Sequence, residues 1–293
     1  MAPITLAIVG DIHGGWTDAD ARWFEQAGYD RVIVVGDLAG FRWSGTLALA
    51  KRLGQMRAKT LVLPGNHDAV HALQLAAESS GRPRMGDRFA AGQRGMVDAL
   101  REAIGEHELG AYSLHTVSGE GDEGGRDGDT VTLIAGRPHT MGGPGLSFAP
   151  HLEACWGVGT LEASAAKLKG LVDAAPTERV VFVSHNGPAG LGERRTDIWG
   201  CDFKREEGDW GDPDLREAVD YAQRVGKRVL AVAAGHMHRK LRGGGERVWQ
   251  VERDGVLYVN AAEVPRLKKD GRRHHVRLVI DGDDVQVGDR YVS

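Results

Sequence analysis

The run VVGDLAG, residues 34–40, passes from apolar residues directly into glycine and aspartate. The N-terminal run AIVGDIHGG, residues 7–15, and the later run LVLPGNHD, residues 61–68, break in the same way. Short, nearly continuous apolar runs are typical of strands that are covered on both faces. Three strands that each end on Asp, Asn or His indicate that their ends meet at one site, since ligands gather at the carboxyl edge of an α/β sheet.

Helical patterns lie between or after these runs, which favours an α/β fold with a parallel sheet covered on both faces. The predicted strands are Ile4–Val9, Val32–Val35, Thr60–Leu63, Arg179–Ser184 and Arg228–Ala234. The predicted helices lie near Thr17–Ala27, Gly45–Arg57, Asp68–Glu78 and Pro213–Val225, the last with Asp212 as its N-cap. The tail adds strand-like segments, with glycine or aspartate in most turns, that look antiparallel: Arg247–Val251, Val256–Asn260, His275–Ile280 and Val285–Val287.

The segment 79–150 interrupts this alternation, and we interpret it as a cap or loop insertion within a single domain of residues 1–293. It contains a predicted helix near Phe89–His107 and predicted strands near Tyr112–Val117 and Val131–Ala135. The run SGEGDEGGRDGD, residues 118–129, cannot bury apolar surface, so it predicts a mobile loop between those two strands.

Composition limits the partners and the compartment. A net charge of -4 provides no broad basic field, so no broad nucleic-acid binding is expected. The two cysteines, Cys155 and Cys201, cannot form a disulfide framework and fit a reducing interior. No apolar run approaches a membrane span, and the N-terminus lacks the pattern of a secretion signal. We therefore expect a cytoplasmic chain, with its oligomeric state open.

Five polar blocks follow predicted strands: GDIHG, GD, GNHD, SHNGP and GHMH, which begin at residues 10, 36, 65, 184 and 235. They supply eight polar side chains, namely Asp11, His13, Asp37, Asn66, His67, His185, His236 and His238. Imidazole nitrogens combined with carboxylate and amide oxygens match divalent transition metals. Eight such groups are too many for one ion but suit two ions about 3.5–4 Å apart.

Taken singly, these residues have ordinary explanations. A lone histidine after a strand, such as His185, is more often structural, and Asn66 or Asp37 alone is a common turn former. The spacing of Asp11 with His13, and of His236 with His238, places two donors on the same side of an extended segment. The coincidence of five blocks favours a metal site.

In this order the motifs D-x-H, GD, GNHD, a histidine after a strand, and G-H-x-H resemble the calcineurin-like metallophosphoesterase superfamily, from Asp11 to His238. The resemblance implies a two-sheet β-sandwich flanked by helices, with a dinuclear metal site at the C-terminal ends of strands. By matching position, Asp37 would bridge two metals. The remaining ligands would be Asp11, His13 and His238 for the first metal, and Asn66, His185 and His236 for the second.

The resemblance also implies the chemistry. The chain would be a hydrolase of phosphoric esters, in which a metal-bridging hydroxide attacks phosphorus and His67 assists the leaving oxygen. Asp68 would orient His67. The metals could be Mn, Fe, Zn or Ni, and the partner would be a small-molecule phosphate ester.

One departure from the superfamily narrows the substrate. The protein serine/threonine phosphatases carry an Asp-Arg-Gly extension in the second block, whereas this chain reads GDLAGFRW at residues 36–43, and Asp68 replaces their glutamate. Phosphomonoesters, nucleotides, cyclic nucleotides and diesters stay open. The alternative is a non-catalytic binding or scaffold protein of the same fold, which would be expected to have lost ligands or His67.

Other residues have a functional and a structural interpretation. The run GRPHTMGGPG, residues 136–145, could line the pocket through His139 or be only a glycine-rich loop. His71 could be near the site, or lie only on a helix face. Three arginines could grip phosphate or be solvated, and three tryptophans could stack on a ring or only pack: Arg42, Arg194, Arg195, Trp43, Trp199 and Trp210. The segments 79–150 and 190–203 would decide between monoesters and diesters.

Overall fold

Two β-sheets carry the architecture in the computed structural model, which describes residues 2–40, 42–119 and 129–293. The first sheet contains β1 (Ile4–Val9), β2 (Arg31–Val34), β3 (Thr60–Val62), β4 (Glu108–Leu109), β11 (Arg273–Asp281) and β12 (Asp284–Val292). The second contains β5 (Ser113–Ser118), β6 (Thr130–Ala135), β7 (Arg179–Val183), β8 (Arg228–Ala234), β9 (Gln250–Arg253) and β10 (Val256–Asn260). Most of the predicted charged loop 118–129 lies outside the described residues.

Both sheets are mixed. The first has the order β12-β11-β1-β2-β3-β4, with β1 to β4 parallel and β11 antiparallel to both of its neighbours. The second has the order β5-β6-β7-β8-β10-β9, with β6, β7, β8 and β10 parallel. The parallel strands of each sheet therefore end at one edge.

Helices cover the outer faces of both sheets. The helices of the described ranges are α1 (Asp18–Gln26), α2 (Trp43–Leu53), α3 (Ala72–Ser79), α4 (Ala90–Ala103), α5 (Ala149–Trp156), α6 (Leu161–Ala174) and α7 (Pro213–Arg224), with short 3₁₀ helices at Pro83–Met85 and Asp87–Phe89. α1, α2 and α4 pack on the first sheet, whereas α6 and α7 pack on the second.

Alternation along the strands builds three apolar layers. In β1, Leu6 and Ile8 point between the two sheets, while Ala7 and Val9 point toward the helices. In β7, Val181 lies between the sheets and Phe182 under α6 and α7. Since both faces are buried, each aliphatic side chain contributes about 1.5–3 kcal/mol, which explains the nearly continuous apolar runs. The predicted fold, a two-sheet β-sandwich flanked by helices, is confirmed.

The tail differs from the prediction of antiparallel strands. The pairs β9–β10 and β11–β12 are antiparallel, but β10 pairs in parallel with β8. The tail therefore divides between the two sheets. The turns between consecutive strands indicate only how those strands pair with each other. The pairing of β10 with β8 joins strands that are not connected by such a turn, so the turns could not predict it.

The predicted insertion at 79–150 contains strands of both sheets. β4 extends the first sheet beside β3, and β5 and β6 form one side of the second. These strands are part of the sandwich, because β6 is a buried strand paired with β7. A cap function for other residues of the segment stays a prediction.

Helix α3 begins later than predicted, at Ala72 rather than near Asp68. His71 is its N-cap, and its Nδ1 accepts a hydrogen bond from the backbone N–H of Leu73 at 3.2 Å. Residues 68–71 instead lie in a loop, in which the Asp68 carboxylate accepts hydrogen bonds from the backbone N–H groups of Leu38 and Gly65. His71 is therefore a cap that stacks on Phe89, with ring centroids 4.4 Å apart.

Across the described ranges, no helix combines the length and the apolar character that crossing a membrane requires.

Candidate metal centre

The five polar blocks meet where the parallel strands end. Three blocks follow β1, β2 and β3 of the first sheet, and two follow β7 and β8 of the second. The sandwich therefore brings all the predicted metal-ligand residues to one edge shared by both sheets.

The backbone at this edge is unusual. Asp11, His13, Asp37 and His236 all have positive φ angles, of 36°, 44°, 51° and 66°. Residues other than glycine rarely adopt this region, which costs of order 1–3 kcal/mol each unless the surrounding structure enforces it. The strain coincides with the predicted ligands.

The first donor set contains Asp11, His13 and His238, whose donor atoms could hold a metal ion. Nε2 of His13 lies 3.2 Å from Nε2 of His238, and Nε2 of His238 lies 3.3 Å from Oδ2 of Asp11. Asp11 is completely buried, while the two imidazoles reach solvent.

The second donor set contains Asp37, His185 and His236. Nε2 of His185 lies 3.6 Å from Oδ1 of Asp37 and 2.9 Å from Oδ1 of Asn66. The rings of His185 and His236 have centroids 4.9 Å apart. Asn66 therefore places an amide oxygen beside this set, and its role as a metal ligand stays a prediction.

Asp37 lies between the two sets. Its Oδ1 is on the side of His185, and its Oδ2 lies 3.8 Å from Nε2 of His13 in the first set. A carboxylate in this position can offer one oxygen to each of two ions.

The residues present fit a cation. Asp11 Oδ2 is buried, with Nε2 of His238 at 3.3 Å and Nε2 of His13 at 4.0 Å. A buried carboxylate is costly unless positive charge or hydrogen-bond donors approach it, and here imidazole donors converge on it. Burial would raise the pKa of Asp11, yet His238, His185 and His13 hold it below its usual range. The carboxylate is therefore ionised and ready to ligate.

Hydrogen bonds orient the histidine donors. His185 Nδ1 lies 2.6 Å from the carbonyl oxygen of Val35, so Nδ1–H donates and Nε2 faces Asn66 Oδ1 and Asp37 in the second set. His236 Nε2 lies 3.1 Å from the carbonyl oxygen of Met141, which leaves its Nδ1. These partners orient both rings within the second set.

Glycine is required between Asp37 and His185. A Cβ on Gly65 would lie 2.3 Å from Asp37 Oδ1 and 2.8 Å from Cε1 of His185. The GNHD block thus packs its backbone directly against the carboxylate between the two sets.

His67 lines the cleft beside these donors. Its Nε2 lies 4.0 Å from Oδ2 of Asp37, and its backbone N–H donates to Oδ1 of Asp37 at 3.0 Å. Burial lowers its pKa, which the Asp37 charge partly offsets.

Asp68 is buried and joins two loops. Its carboxylate accepts hydrogen bonds from the backbone N–H of Leu38 at 3.1 Å and of Gly65 at 3.0 Å. Burial, followed by the charge of Asp37, raises the pKa of Asp68 to about 7. Its predicted orienting of His67 stays a prediction.

Further residues support the site from outside the predicted set. His139 does not line the cleft: it is buried, and its Nδ1 lies 3.1 Å from the carbonyl oxygen of Gly65.

Buried Arg137 binds Asp212 and Asp214, so Asp212 occupies the N-cap position of α7 without a side-chain capping bond. No sequence pattern identified Arg137, because its partners lie far along the chain.

The donor sets open into a cleft of about 810 Å³. Of the predicted arginines and tryptophans, Trp210 lines it, whereas Trp199 is buried in the core and Arg195 pairs with Glu207. The cations that line the cleft are Lys204, Lys240 and Arg242, which the sequence analysis did not identify. Lys240 and Arg242 follow the GHMH block within four residues, and this short spacing could have predicted that they lie near the site.

The chain belongs to the calcineurin-like phosphoesterase family, whose sequence profile matches residues 4–240. The general reaction of this family is metal-dependent hydrolysis of phosphoric esters at a dinuclear centre, and the two donor sets agree with that centre. A search of curated proteins found no match.

Solved structures share the fold. A dimetal phosphatase from Danio rerio is 12% identical, with 100% of this chain and 99% of that chain covered and a TM-score of 0.53. A second crystal structure is 11% identical over 98% of each chain, with a TM-score of 0.56. The protein TT1561 of Thermus thermophilus is 11% identical over 99% of each chain, with a TM-score of 0.48. At these identities the first two similarities establish the fold alone.

Proposed function

We propose that this chain hydrolyses a phosphomonoester or phosphodiester of a small molecule or nucleotide in a metal-dependent reaction. The observation that carries the proposal is the position of Asp37, between two donor sets in the cleft that His67 also lines. A binding protein without turnover has no need of both sets and His67 together.

The metals would be held by the residues of the two sets. Asp11, His13 and His238 would hold one ion, and Asn66, His185 and His236 the other, with Asp37 shared. Two ions, when bound, supply an acidified water and positive charge toward the phosphoryl oxygens. Mn, Fe, Zn and Ni all suit this mixture of nitrogen and oxygen donors.

The protein holds these donors before any substrate arrives. Val35 and Met141 accept the outward N–H groups of His185 and His236, and the backbone N–H of His236 donates to Oδ1 of Asp11 at 2.9 Å. Such outer contacts fix ligand orientation, and losing one typically costs about 10–100-fold in metal affinity or activity.

His67 would deliver a proton to the leaving oxygen. Its imidazole lines the cleft and is held through its own backbone N–H to Asp37. Burial lowers its pKa, which makes the imidazolium a stronger acid, while the Asp37 charge 4.0 Å away favours the protonated form that must be present to donate.

The cleft supports a small-molecule partner. Its volume of about 810 Å³ falls within the range of about 300–1,000 Å³ that is usual for such pockets. A nucleotide or a comparable ester is of suitable size.

The test combines metal content with turnover. Purified protein reconstituted with Mn, Fe, Zn or Ni is expected to hold about two ions per chain and to hydrolyse p-nitrophenyl phosphate or its bis-aryl diester. Asp37→Asn should lose both properties, whereas Asp98→Asn, at an exposed carboxylate on α4, should keep them. A reconstituted protein without metal, or an active Asp37→Asn, contradicts the proposal.

A further inference from the structure

Away from the donor sets, aromatic and cationic side chains line the same cleft. We call Phe203, Lys204, Trp210, Lys240 and Arg242 the cationic wall. Three of its members are cations, in a chain whose net charge is -4. A local concentration of positive charge within an acidic protein attracts anions to that place.

The cations of the wall are not neutralised by carboxylates. Within the described ranges, no salt bridge involves Lys204, Lys240 or Arg242. Some exposed cations elsewhere have acidic partners, as Arg195 has Glu207 and Lys169 has Glu217, whereas others, such as Lys51, have none among the described residues. What distinguishes the wall is that three cations without a carboxylate partner line the same cleft.

Two acidic residues outside the donor sets line the cleft, and both have other partners. Asp202 Oδ2 accepts the backbone N–H of Arg242 at 2.9 Å, and its Oδ1 lies 3.3 Å from Arg247. Glu78 Oε1 accepts the backbone N–H of Phe148 at 2.8 Å. Neither carboxylate pairs with a cation of the wall.

Aromatic rings hold two of the cations. Nζ of Lys204 lies 3.9 Å from the ring centroid of Trp210, and the guanidinium carbon of Arg242 lies 5.5 Å from that of Phe203. The two rings pack edge to face at 5.1 Å, and Trp210 Nε1 donates to the carbonyl oxygen of Met141 at 2.8 Å. A cation–π contact positions a cation without consuming its N–H donors, which stay available for oxygen ligands.

We infer that the cationic wall is a second anion subsite, and that the preferred substrate is a phosphate ester with a second phosphoryl group, of the nucleoside bisphosphate class. The inference rests on the proposed function, which places the scissile phosphoryl group at the donor sets. The second phosphoryl group binds Lys204, Lys240 and Arg242. Phe203, which is 37% exposed, adds aromatic surface for a base.

The test compares substrates that differ by one phosphate. Adenosine 3′,5′-bisphosphate is measured against adenosine 3′- and 5′-monophosphates, in wild type and in the triple variant Lys204→Gln, Lys240→Gln, Arg242→Gln. Because charge-assisted hydrogen bonds are lost, the variant should raise KM for the bisphosphate about tenfold or more, and KM for the monophosphates less than about threefold.

A matched control removes the same charges elsewhere. Lys51→Gln, Arg52→Gln, Lys59→Gln changes exposed residues that do not line the cleft and should leave every KM unchanged. Equal changes for bisphosphate and monophosphates in the first triple variant, or none for either, would overturn the subsite while leaving the phosphoesterase proposal intact.

Two further measurements cover the other outcomes. In wild type, the preference for the bisphosphate must fall as salt rises, because screening weakens exposed charge pairs, and a preference independent of salt contradicts the subsite. If p-nitrophenyl phosphate is hydrolysed but none of the adenosine phosphates is, the nucleoside bisphosphate inference fails and the proposed function stands. If no ester is hydrolysed, p-nitrophenyl phosphate and its diester included, the proposed function fails, and calorimetry still tests the subsite. Tighter binding of the bisphosphate that the triple variant abolishes supports it, and equal binding of both ligands refutes it.

Discussion

Replacing Gly65 with alanine is expected to displace the Asp37 carboxylate and weaken both donor sets. The added Cβ would lie 2.3 Å from Asp37 Oδ1, 2.5 Å from Asp37 N and 2.8 Å from Cε1 of His185. Neither the Asp37 carboxylate nor the His185 imidazole can move away from the added Cβ easily. His67 donates to the carboxylate, and His185 is held between Val35 and Asn66.

The size of the effect follows from these contacts. Overpacking of this kind costs about 1–3 kcal/mol of unfolding free energy. Moving a shared ligand should reduce metal affinity by about 10–100-fold, as the loss of an orienting contact does. Urea unfolding of the metal-free protein measures the first quantity, and calorimetric titration with Mn²⁺ measures the second.

The control is Gly145→Ala, because a Cβ there meets no atom within 4 Å. At a compatible glycine the change to alanine stabilises by about 0.4–1 kcal/mol, through the entropy of the unfolded chain. If Gly65→Ala matched this control in stability and in Mn²⁺ affinity, the close packing of the GNHD block on Asp37 would be refuted.

Three further predictions concern buried and reactive groups. Burial lowers the pKa of His275 to about 3, so between pH 6.5 and 3 the unfolded chain binds the proton first. Stability should therefore fall by about 1.4 kcal/mol per pH unit on acidification from this group, and His275→Phe should flatten that slope in unfolding measured from pH 7 to 4. Arg137→Leu leaves two buried carboxylates unpaired and should cost about 3–5 kcal/mol in urea unfolding, whereas Arg101→Leu, at an exposed pair, should cost about 0–1 kcal/mol. His67→Ala should lower kcat by about 10²–10⁴-fold for an alkyl phosphate but much less for p-nitrophenyl phosphate, whose leaving group needs little protonation. Equal losses for the two esters would contradict the acid role.

Local patterns predicted most of the fold. The strands β1 and β8 have their predicted bounds, and β2, β3 and β7 end within a residue of them, because each apolar run and the turn or polar residues that end it are adjacent in sequence. The five polar blocks at the strand ends could be identified from the sequence for the same reason. The side chains that they place at one edge include every predicted ligand.

Local patterns were insufficient where a contact joins distant parts of the chain. The start of α3 was missed because Asp68 bonds to the backbone of Leu38 rather than beginning a helix. The parallel pairing of β10 with β8 was missed because turns report only adjacent strands.

The sequence by itself determined which residues end the strands and what chemistry they can support. A strand and the polar residues at its end are consecutive in sequence, so the pattern of apolar residues is enough to predict both. Only the tertiary structure decided that Asp37 lies between both donor sets and that Lys204, Lys240 and Arg242 share their cleft. The order of strands across two sheets sets those neighbours, and that order depends on long-range packing that no short run of residues encodes.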